Sequence, residues 1–152
     1  MQFEHLVEVN EANGAALSRE ELWFGLLCRA EDARRFLPGL DECRIVERHE
    51  NELVRELRFG SALVRDRVRL NALESIVFDI EANDEHVGGS LSIAIEEDDA
   101  GALFLRFRYL TSLPEASAED AGYADVVRSA YYQSDLDTLR VIRQIARLGH
   151  MQ

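Results

Sequence analysis

Six segments of alternating polar and apolar residues follow one another between about residue 41 and residue 113. Short polar or glycine-containing connections, such as H-E-N, F-G-S and E-D-D-A-G, separate them. Alternation places successive side chains on opposite faces of a strand, and connections this short join neighbouring strands as antiparallel hairpins. The pattern therefore predicts an antiparallel meander. Its strands are E-C-R-I-V-E-R-H, E-L-V-R-E-L-R-F, A-L-V-R-D-R-V-R-L, S-I-V-F-D-I-E-A, S-L-S-I-A-I-E and L-F-L-R-F-R-Y-L.

A further strand and two short helical segments precede the meander. F-E-H-L-V-E-V alternates cleanly and predicts a strand that places Phe3, His5, Val7 and Val9 on one face. Ser18 and Glu21 have the spacing of a capping box, which predicts a helix from about 19 to 30. E-D-A-R-R-F-L predicts a second helical turn, ended by the following P-G.

A long helix is predicted after Gly122, where helical periodicity continues for nearly 30 residues. At 100° per residue the apolar positions form one inward stripe. Its predicted members are Tyr123, Val126, Val127, Ala130, Val141, Ile145 and Leu148, and the polar Ser134, Asp137 and Thr138 fall within it. Leu136 and Leu139 fall on the outer side of the same helix.

These elements predict an α+β fold in one domain spanning residues 1–152. A seven-stranded, curved antiparallel sheet shields one face, and the long C-terminal helix is the one element large enough to fill its concave side. The two short helices follow the first strand. A helix held in this way by a curved sheet often leaves an internal space.

Composition limits the partners. The net charge of −12 disfavours a nucleic-acid binder and an anionic membrane surface. No apolar run approaches the roughly 20 residues that span a bilayer, and the N-terminus lacks the pattern of a signal peptide. Two isolated cysteines, Cys28 and Cys43, are typical of reduced thiols. We therefore expect a cytoplasmic protein.

Motifs for several enzyme classes are absent from the sequence. It contains no G-x-S-x-G, no P-loop and no dinucleotide-binding glycine fingerprint. No two histidines, and no histidine and cysteine, have metal-ligand spacing, so we expect neither a metal nor a cofactor. Cofactor-free cyclisation or isomerisation stays open, because it needs only a shaped pocket and one or two placed polar groups.

The run L-S-R-E-E-L-W-F-G-L-L-C-R-A-E-D-A-R-R-F-L-P-G-L-D-E-C-R-I-V-E resembles the opening of START-like (SRPBCC) helix-grip domains. The plant allergens related to the birch-pollen allergen share the same strand–helix–helix–meander–long-helix order. More narrowly, F-E-H-L-V-E-V-N, R-E-L-R-F-G, V-R-D-R-V and D-L-D-T-L-R-V-I-R resemble the AtaL-like branch. Helix-grip domains include lipid carriers, hormone receptors and aromatase/cyclases. The resemblance implies a helix-grip fold with a cavity for an apolar or aromatic small molecule.

Asp66 is the most unusual candidate for that cavity. In A-L-V-R-D-R-V-R-L it shares the apolar face with Val64 and Val68, where an unpartnered carboxylate would cost several kcal/mol. It either pairs with an arginine of a neighbouring strand, for which Arg106 is a candidate, or contacts a ligand.

The other candidates lie on the first strand and the long helix. His5 is on the apolar face of its strand, as a core residue or a cavity residue. Ser134, Asp137 and Thr138 interrupt the inward stripe. Either Ser134 and Thr138 bond back to helix carbonyls while Asp137 lies at the edge of the stripe near water, or the three line the cavity beside Tyr123.

Three functions are compatible with the predicted fold and its candidate cavity residues. The leading hypothesis is binding or carriage of a hydrophobic, ring-containing small molecule. The second is a cyclase- or isomerase-like enzyme that uses Asp66, Asp137 or His5 as acid or base. The third is an interaction module that presents Leu136 and Leu139.

Overall fold

The computed structural model describes residues 2–10, 15–83, 88–111 and 121–150, without the side chains of residues 121–124 and 150. The seven predicted strands, the two short helical segments and the long C-terminal helix are confirmed. In chain order, the elements are β1 (Gln2–Glu8), α1 (Arg19–Glu31), a 3-10 turn (Ala33–Arg35), β2 (Glu42–His49), β3 (Glu52–Phe59), β4 (Ala62–Asn71), β5 (Ser75–Ile80), β6 (Gly89–Glu97), β7 (Leu103–Thr111) and α2 (Ala121–His150).

The strands form one curved antiparallel sheet in the order β1-β7-β6-β5-β4-β3-β2. Strands β2 to β7 are a meander, and β1 adds to its far edge by pairing with β7. The β3–β4 hairpin turns through Gly60, whose φ of 59° is in the left-handed region that glycine adopts without strain. This architecture confirms the α+β class.

The concave face of the sheet carries the core because alternate residues of each strand point towards the helices. On β7, for example, Leu103, Leu105, Phe107 and Tyr109 are buried, whereas Arg108 and Leu110 between and beyond them are exposed. Side chains of the sheet and of both helices pack together there, and they include Leu22, Leu26, Ile76, Phe78, Leu91, Ile93, Leu139 and Ile142.

Helix α1 begins where the capping box predicts. The Ser18 hydroxyl accepts from the Glu21 backbone N–H at 3.1 Å, and the Glu21 carboxylate accepts from the Ser18 N–H at 3.0 Å. The buried face of α1 then runs through Leu22, Leu26, Arg29 and Ala30. An arginine therefore enters the interior on an otherwise apolar face.

The rotation of α2 differs from the predicted stripe. Val126 and Leu148 are 67% and 55% exposed, and Asp137 is exposed too. Leu139, predicted on the outer side, is buried. The physical reason is close contact with α1, because a Cβ on Gly25 would lie 2.6 Å from Ile142 Cγ2. Among the described side chains of α2, the buried ones are Asp135, Thr138, Leu139, Val141, Ile142 and Ile145.

Candidate functional site

A cavity of about 470 Å³ lies on the concave side of the sheet, at the end where β3, β5 and β7 finish and β4 and β6 begin. Helix α1 contributes Arg29 to its wall, and α2 contributes Tyr131 and Ser134. Its apolar lining includes Leu37, Leu57, Phe59, Val64, Phe78, Ile80 and Leu91. Its polar side chains include Arg29, Arg55, Asp66, Tyr109 and Ser134.

Asp66 forms a buried ion pair with Arg55, its direct neighbour in the β3–β4 ladder. Arg55 donates from Nε to Asp66 Oδ1 at 2.9 Å and from Nη2 to Oδ2 at 2.6 Å. The two side chains are 1% and 2% exposed. Arg55 Nη1 also donates to the backbone carbonyl oxygens of Arg29 and Ala30, at 2.9 and 3.1 Å. The pair therefore ties β3 and β4 to the last turn of α1.

Arg29 is a second buried guanidinium, and no carboxylate of the described residues pairs with it. It is 7% exposed, and its buried Nε finds no hydrogen-bond acceptor in the described part of the chain. Its guanidinium carbon lies 4.6 Å from the centre of the Phe78 ring, a cation–π contact. Burial lowers the pKa of Arg29 to about 10, with a smaller contribution from the positive charge of Arg55, whereas Tyr109 and the Asp66 and Asp135 carboxylates act in the opposite direction. Arg29 therefore remains cationic at neutral pH.

Asp135, a buried residue of α2, joins two aromatic residues. The Tyr109 hydroxyl donates to Asp135 Oδ1, and His5 Nδ1 lies 2.6 Å from Oδ2. Burial raises the pKa of Asp135, although the hydrogen bonds from Tyr109 and His5 act in the opposite direction. Burial and the adjacent Asp135 carboxylate raise the pKa of Tyr109, so the phenol stays protonated.

An aromatic cluster holds this group in place. Phe3 stacks on Tyr109 with ring centres 5.0 Å apart, and Tyr131 lies 4.6 Å from Tyr109 on the helix side. His5 meets Tyr132 edge-on at 5.1 Å. Because Tyr109 and Tyr131 also line the cavity, its wall is both aromatic and hydrogen bonding on this side.

The comparisons with known proteins place the chain in a family. The model of the family described as acetylaranotin biosynthesis cluster protein L, AtaL, matches residues 3–149. The chain belongs to the AtaL family. No curated protein matches the sequence.

Three solved structures share the fold of this AtaL-family chain at low sequence identity. The aromatase/cyclase Zhui from Streptomyces sp. R1128 has a TM-score of 0.65 at 15% identity, over 97% of this chain and 93% of that one. The di-domain ARO/CYC StfQ from the steffimycin biosynthetic pathway has a TM-score of 0.70 at 14% identity, over 99% of this chain and 52% of that one. Ara h 8.0201 has a TM-score of 0.60 at 13% identity, over 95% and 96%. These likenesses establish the helix-grip fold of the AtaL-family chain.

Two of the predicted site residues lie away from the cavity of this AtaL-family protein. Arg106 is on the outer face of β7, where it binds Glu96 at 2.5 Å and Glu4 at 3.0 Å, so its predicted pairing with Asp66 is wrong. Asp137 is on the exposed side of α2, with its carboxylate 3.4 Å from Arg140. In both cases the side chain lies on the face of its strand or helix that points away from the cavity.

The remaining predicted residues are distributed around the interior. Asp66 and Ser134 line the cavity. His5 faces inward and contacts Asp135 behind the cavity wall. Thr138 is buried and donates to the Ser134 backbone carbonyl at 3.2 Å, as its structural alternative predicted. The Tyr123 side chain lies outside the described residues.

Three charged residues of the site were missed, and each had a signal in the sequence. Arg55 shares one face of its strand with Leu53 and Leu57, and Arg29 follows Leu22 and Leu26 at helical spacing. Asp135 precedes Leu139 and Ile142 on one helical face in the same way.

Within the described part of the chain, no three His, Cys, Asp or Glu side chains come together as a metal site. None of the described helices has the length and hydropathy needed to cross a membrane.

Proposed function

We propose that this protein binds a hydrophobic, ring-containing small molecule in the cavity between the sheet and helices α1 and α2. The observation that carries the proposal is the cavity itself. Its volume of about 470 Å³ falls within the range of roughly 300–1,000 Å³ typical of small-molecule sites. Apolar and aromatic side chains surround a few buried polar groups, which is the usual composition of such a site.

The charge, the cysteines and the core of the protein support the proposed class of partner, compartment and domain organisation. A net charge of −12 supports a small-molecule partner in preference to nucleic acid. Cys28 and Cys43 are free thiols, which supports a reducing compartment such as the cytoplasm. One core cluster that joins β1, both helices and the later strands supports a single domain over residues 1–152.

A matched pair of substitutions on β4 tests the cavity. Val64→Trp places an indole in the cavity wall, whereas Leu63→Trp places the same ring on the outer face, where Leu63 is 52% exposed. The probe is 2-acetylanthracene, a flat neutral ketone, and its binding is measured by fluorescence. We expect wild type and Leu63→Trp to bind it equally, and Val64→Trp to lose at least tenfold in affinity. Equal binding by both variants would place the probe elsewhere and overturn the proposal.

A second function is favoured by the hydrogen-bonded group Asp135–Tyr109–His5. Tyr109 reaches the cavity and donates to Asp135, a carboxyl whose pKa is raised by burial. Protonated Asp135 can donate to the Tyr109 oxygen, and the Tyr109 hydroxyl can then donate to a ligand carbonyl as negative charge develops on it. This arrangement would stabilise the enolate oxygen while water takes the proton from the adjacent carbon, so that the enol forms as the first step of a cofactor-free cyclisation. That Zhui and StfQ are aromatase/cyclases of the same fold supports this candidate.

Enolisation can be measured without the natural substrate. The probe is 2-acetyl-1-tetralone, and the readout is deuterium exchange of its acidic C–H in D₂O, followed by NMR. For an enzyme we expect exchange above the buffer rate, and a loss of at least tenfold in Tyr109→Phe with probe affinity unchanged. Tyr132→Phe, which removes an exposed hydroxyl beside the same cluster, is the control. Exchange at the buffer rate with the probe bound would leave binding alone as the function.

A further inference from the structure

We propose that Arg29 recognises a carboxylate on the ligand, so that the molecule held in the cavity is a flat, apolar acid. This inference rests on the proposed binding function and adds the chemical class of the ligand. It is carried by a cationic side chain that lines the cavity and is 7% exposed, with a buried Nε that has no acceptor within the described ranges of the chain.

The other buried cation is already neutralised. Arg55 uses Nε and Nη2 on the two oxygens of Asp66, and Nη1 on two backbone carbonyls. Those contacts fix its direction and leave Arg29 as the guanidinium able to accept a new anion.

The buried carboxylates of the interior are also engaged. Both oxygens of Asp66 accept from Arg55, and those of Asp135 contact Tyr109 and His5. A buried charge without direct compensation is costly, which makes an incoming anion the natural partner of Arg29. A carboxylate suits it best, because the planar guanidinium fork matches the two oxygens of a carboxylate.

Arg29 is also held in position before a ligand arrives. Its side chain lies against the Phe78 ring at 4.6 Å, and its backbone carbonyl is bound by Arg55 at 2.9 Å. A donor that is already fixed loses little conformational freedom on binding, so less of the binding free energy is spent on ordering it. The attraction between Arg29 and an anion therefore raises the affinity for an anionic ligand. Phe78 itself lines the cavity and supplies an aromatic surface beside the anion position.

Two probes of nearly equal size separate charge from shape. Anthracene-2-carboxylate and anthracene-2-carboxamide share the ring system and differ in charge at neutral pH. Fluorescence titration of wild type should give at least tenfold tighter binding of the carboxylate. In Arg29→Gln, we expect that preference to fall below threefold through loss of carboxylate affinity, with the carboxamide dissociation constant within threefold of wild type. Arg29→Lys keeps the charge but lacks the fork, and we expect an intermediate preference.

Arg108→Gln is the matched control, because it removes one arginine from the outer face of β7, where the side chain is 61% exposed. It should keep the wild-type preference. Equal binding of both probes to wild type, or equal losses for both in Arg29→Gln, would overturn the carboxylate site while leaving the binding function standing. Failure of wild type to bind either anthracene or 2-acetylanthracene would instead overturn both proposals. Thermal melts of each variant establish that it is folded. The comparison of the two anthracene probes on wild type tests the carboxylate site even if a variant does not fold.

Discussion

Arg55 donates a hydrogen bond of 2.9 Å from Nη1 to the backbone carbonyl oxygen of Arg29, so one buried arginine fixes the backbone that carries the other. The two guanidiniums lie near the same ring, 5.3 and 4.6 Å from the centre of Phe78. They differ in what they bind. Arg55 is fully engaged with Asp66 and α1, whereas Arg29 lines the cavity and its buried Nε has no acceptor among the described residues. The same substitution should therefore have opposite effects at the two positions.

Arg55→Met should destabilise the protein by about 3–5 kcal/mol, because it leaves the Asp66 carboxylate buried without its partner. The measurement is urea unfolding followed by circular dichroism. Arg69→Met removes the exposed partner of Asp79, in a pair whose side chains are 57% and 43% exposed, and should cost less than about 1 kcal/mol. Similar decreases in the free energy of unfolding of the two variants would contradict the prediction that the buried Arg55–Asp66 pair stabilises the fold more than the exposed pair does.

Arg29→Met should increase the free energy of unfolding of the ligand-free protein by about 1–2 kcal/mol, because a buried charge whose Nε lacks an acceptor among the described residues is replaced by an apolar side chain of similar length. Loss of the cation–π contact with Phe78 offsets part of the gain. The same urea titration measures it. A loss of stability would show that Arg29 serves the fold.

Asp135 should make stability depend on pH in a defined direction. An acid whose pKa is raised in the folded state binds more protons there than in the unfolded chain, so the free energy of unfolding falls as pH rises through the interval between the two values. Relative to Asp135→Asn, we therefore expect wild type to lose stability as pH rises above about 3.9, the ordinary value for aspartate. Unfolding titrations at a series of pH values, with carbon NMR of the Asp135 carboxyl, follow the change.

Tyr109→Phe extends the pH test. It removes a hydrogen bond that lowers the pKa of Asp135, so the carboxyl should titrate at higher pH than in wild type. An Asp135 carboxyl that titrates below 3.9 in wild type, or a difference curve of opposite slope, would count against this account of its environment.

Gly25→Ala should destabilise by about 1–3 kcal/mol through overpacking between the two helices. The added Cβ would lie 2.6 and 2.7 Å from Cγ2 and Cγ1 of Ile142, in the buried contact of α1 with α2. Ile142→Ala removes both of those atoms, so the double variant should cost less than the sum of the two single variants. Gly149→Ala meets no atom within 4 Å and should be neutral or slightly stabilising. Additive losses at Gly25 and Ile142 would refute the contact.

The fold was predictable because its signals are local. Alternation identified the strands, and short connections required hairpins. The partner of Asp66 was predictable by the same reasoning. A two-residue connection at Gly60 and Ser61 pairs Phe59 with Ala62, and counting back along both strands brings Arg55 opposite Asp66. Arg106, in contrast, alternates with the inward residues of β7, so it belongs to the other face.

The rotation of α2 was not available from local pattern. Val141 and Ile145 define one apolar face and Leu139 and Ile142 an adjacent one, so periodicity alone gives two nearly equal solutions. The structure buries all four residues, and contact with Gly25 on another helix turns the fully buried Ile142 towards α1. This rotation brings Asp135 into the interior and leaves Asp137 in solvent.

The N-cap at Ser18 sets the residue at which α1 begins, and α1 then carries Arg29 to the cavity on its buried face. One residue inserted between Ser18 and Arg29 would turn the guanidinium by about 100° around the helix axis, away from the interior. An insertion before Ser18 leaves that angle unchanged. Among homologues that keep this arginine, we therefore expect chain length to vary before the cap and the spacing from cap to arginine to be constant.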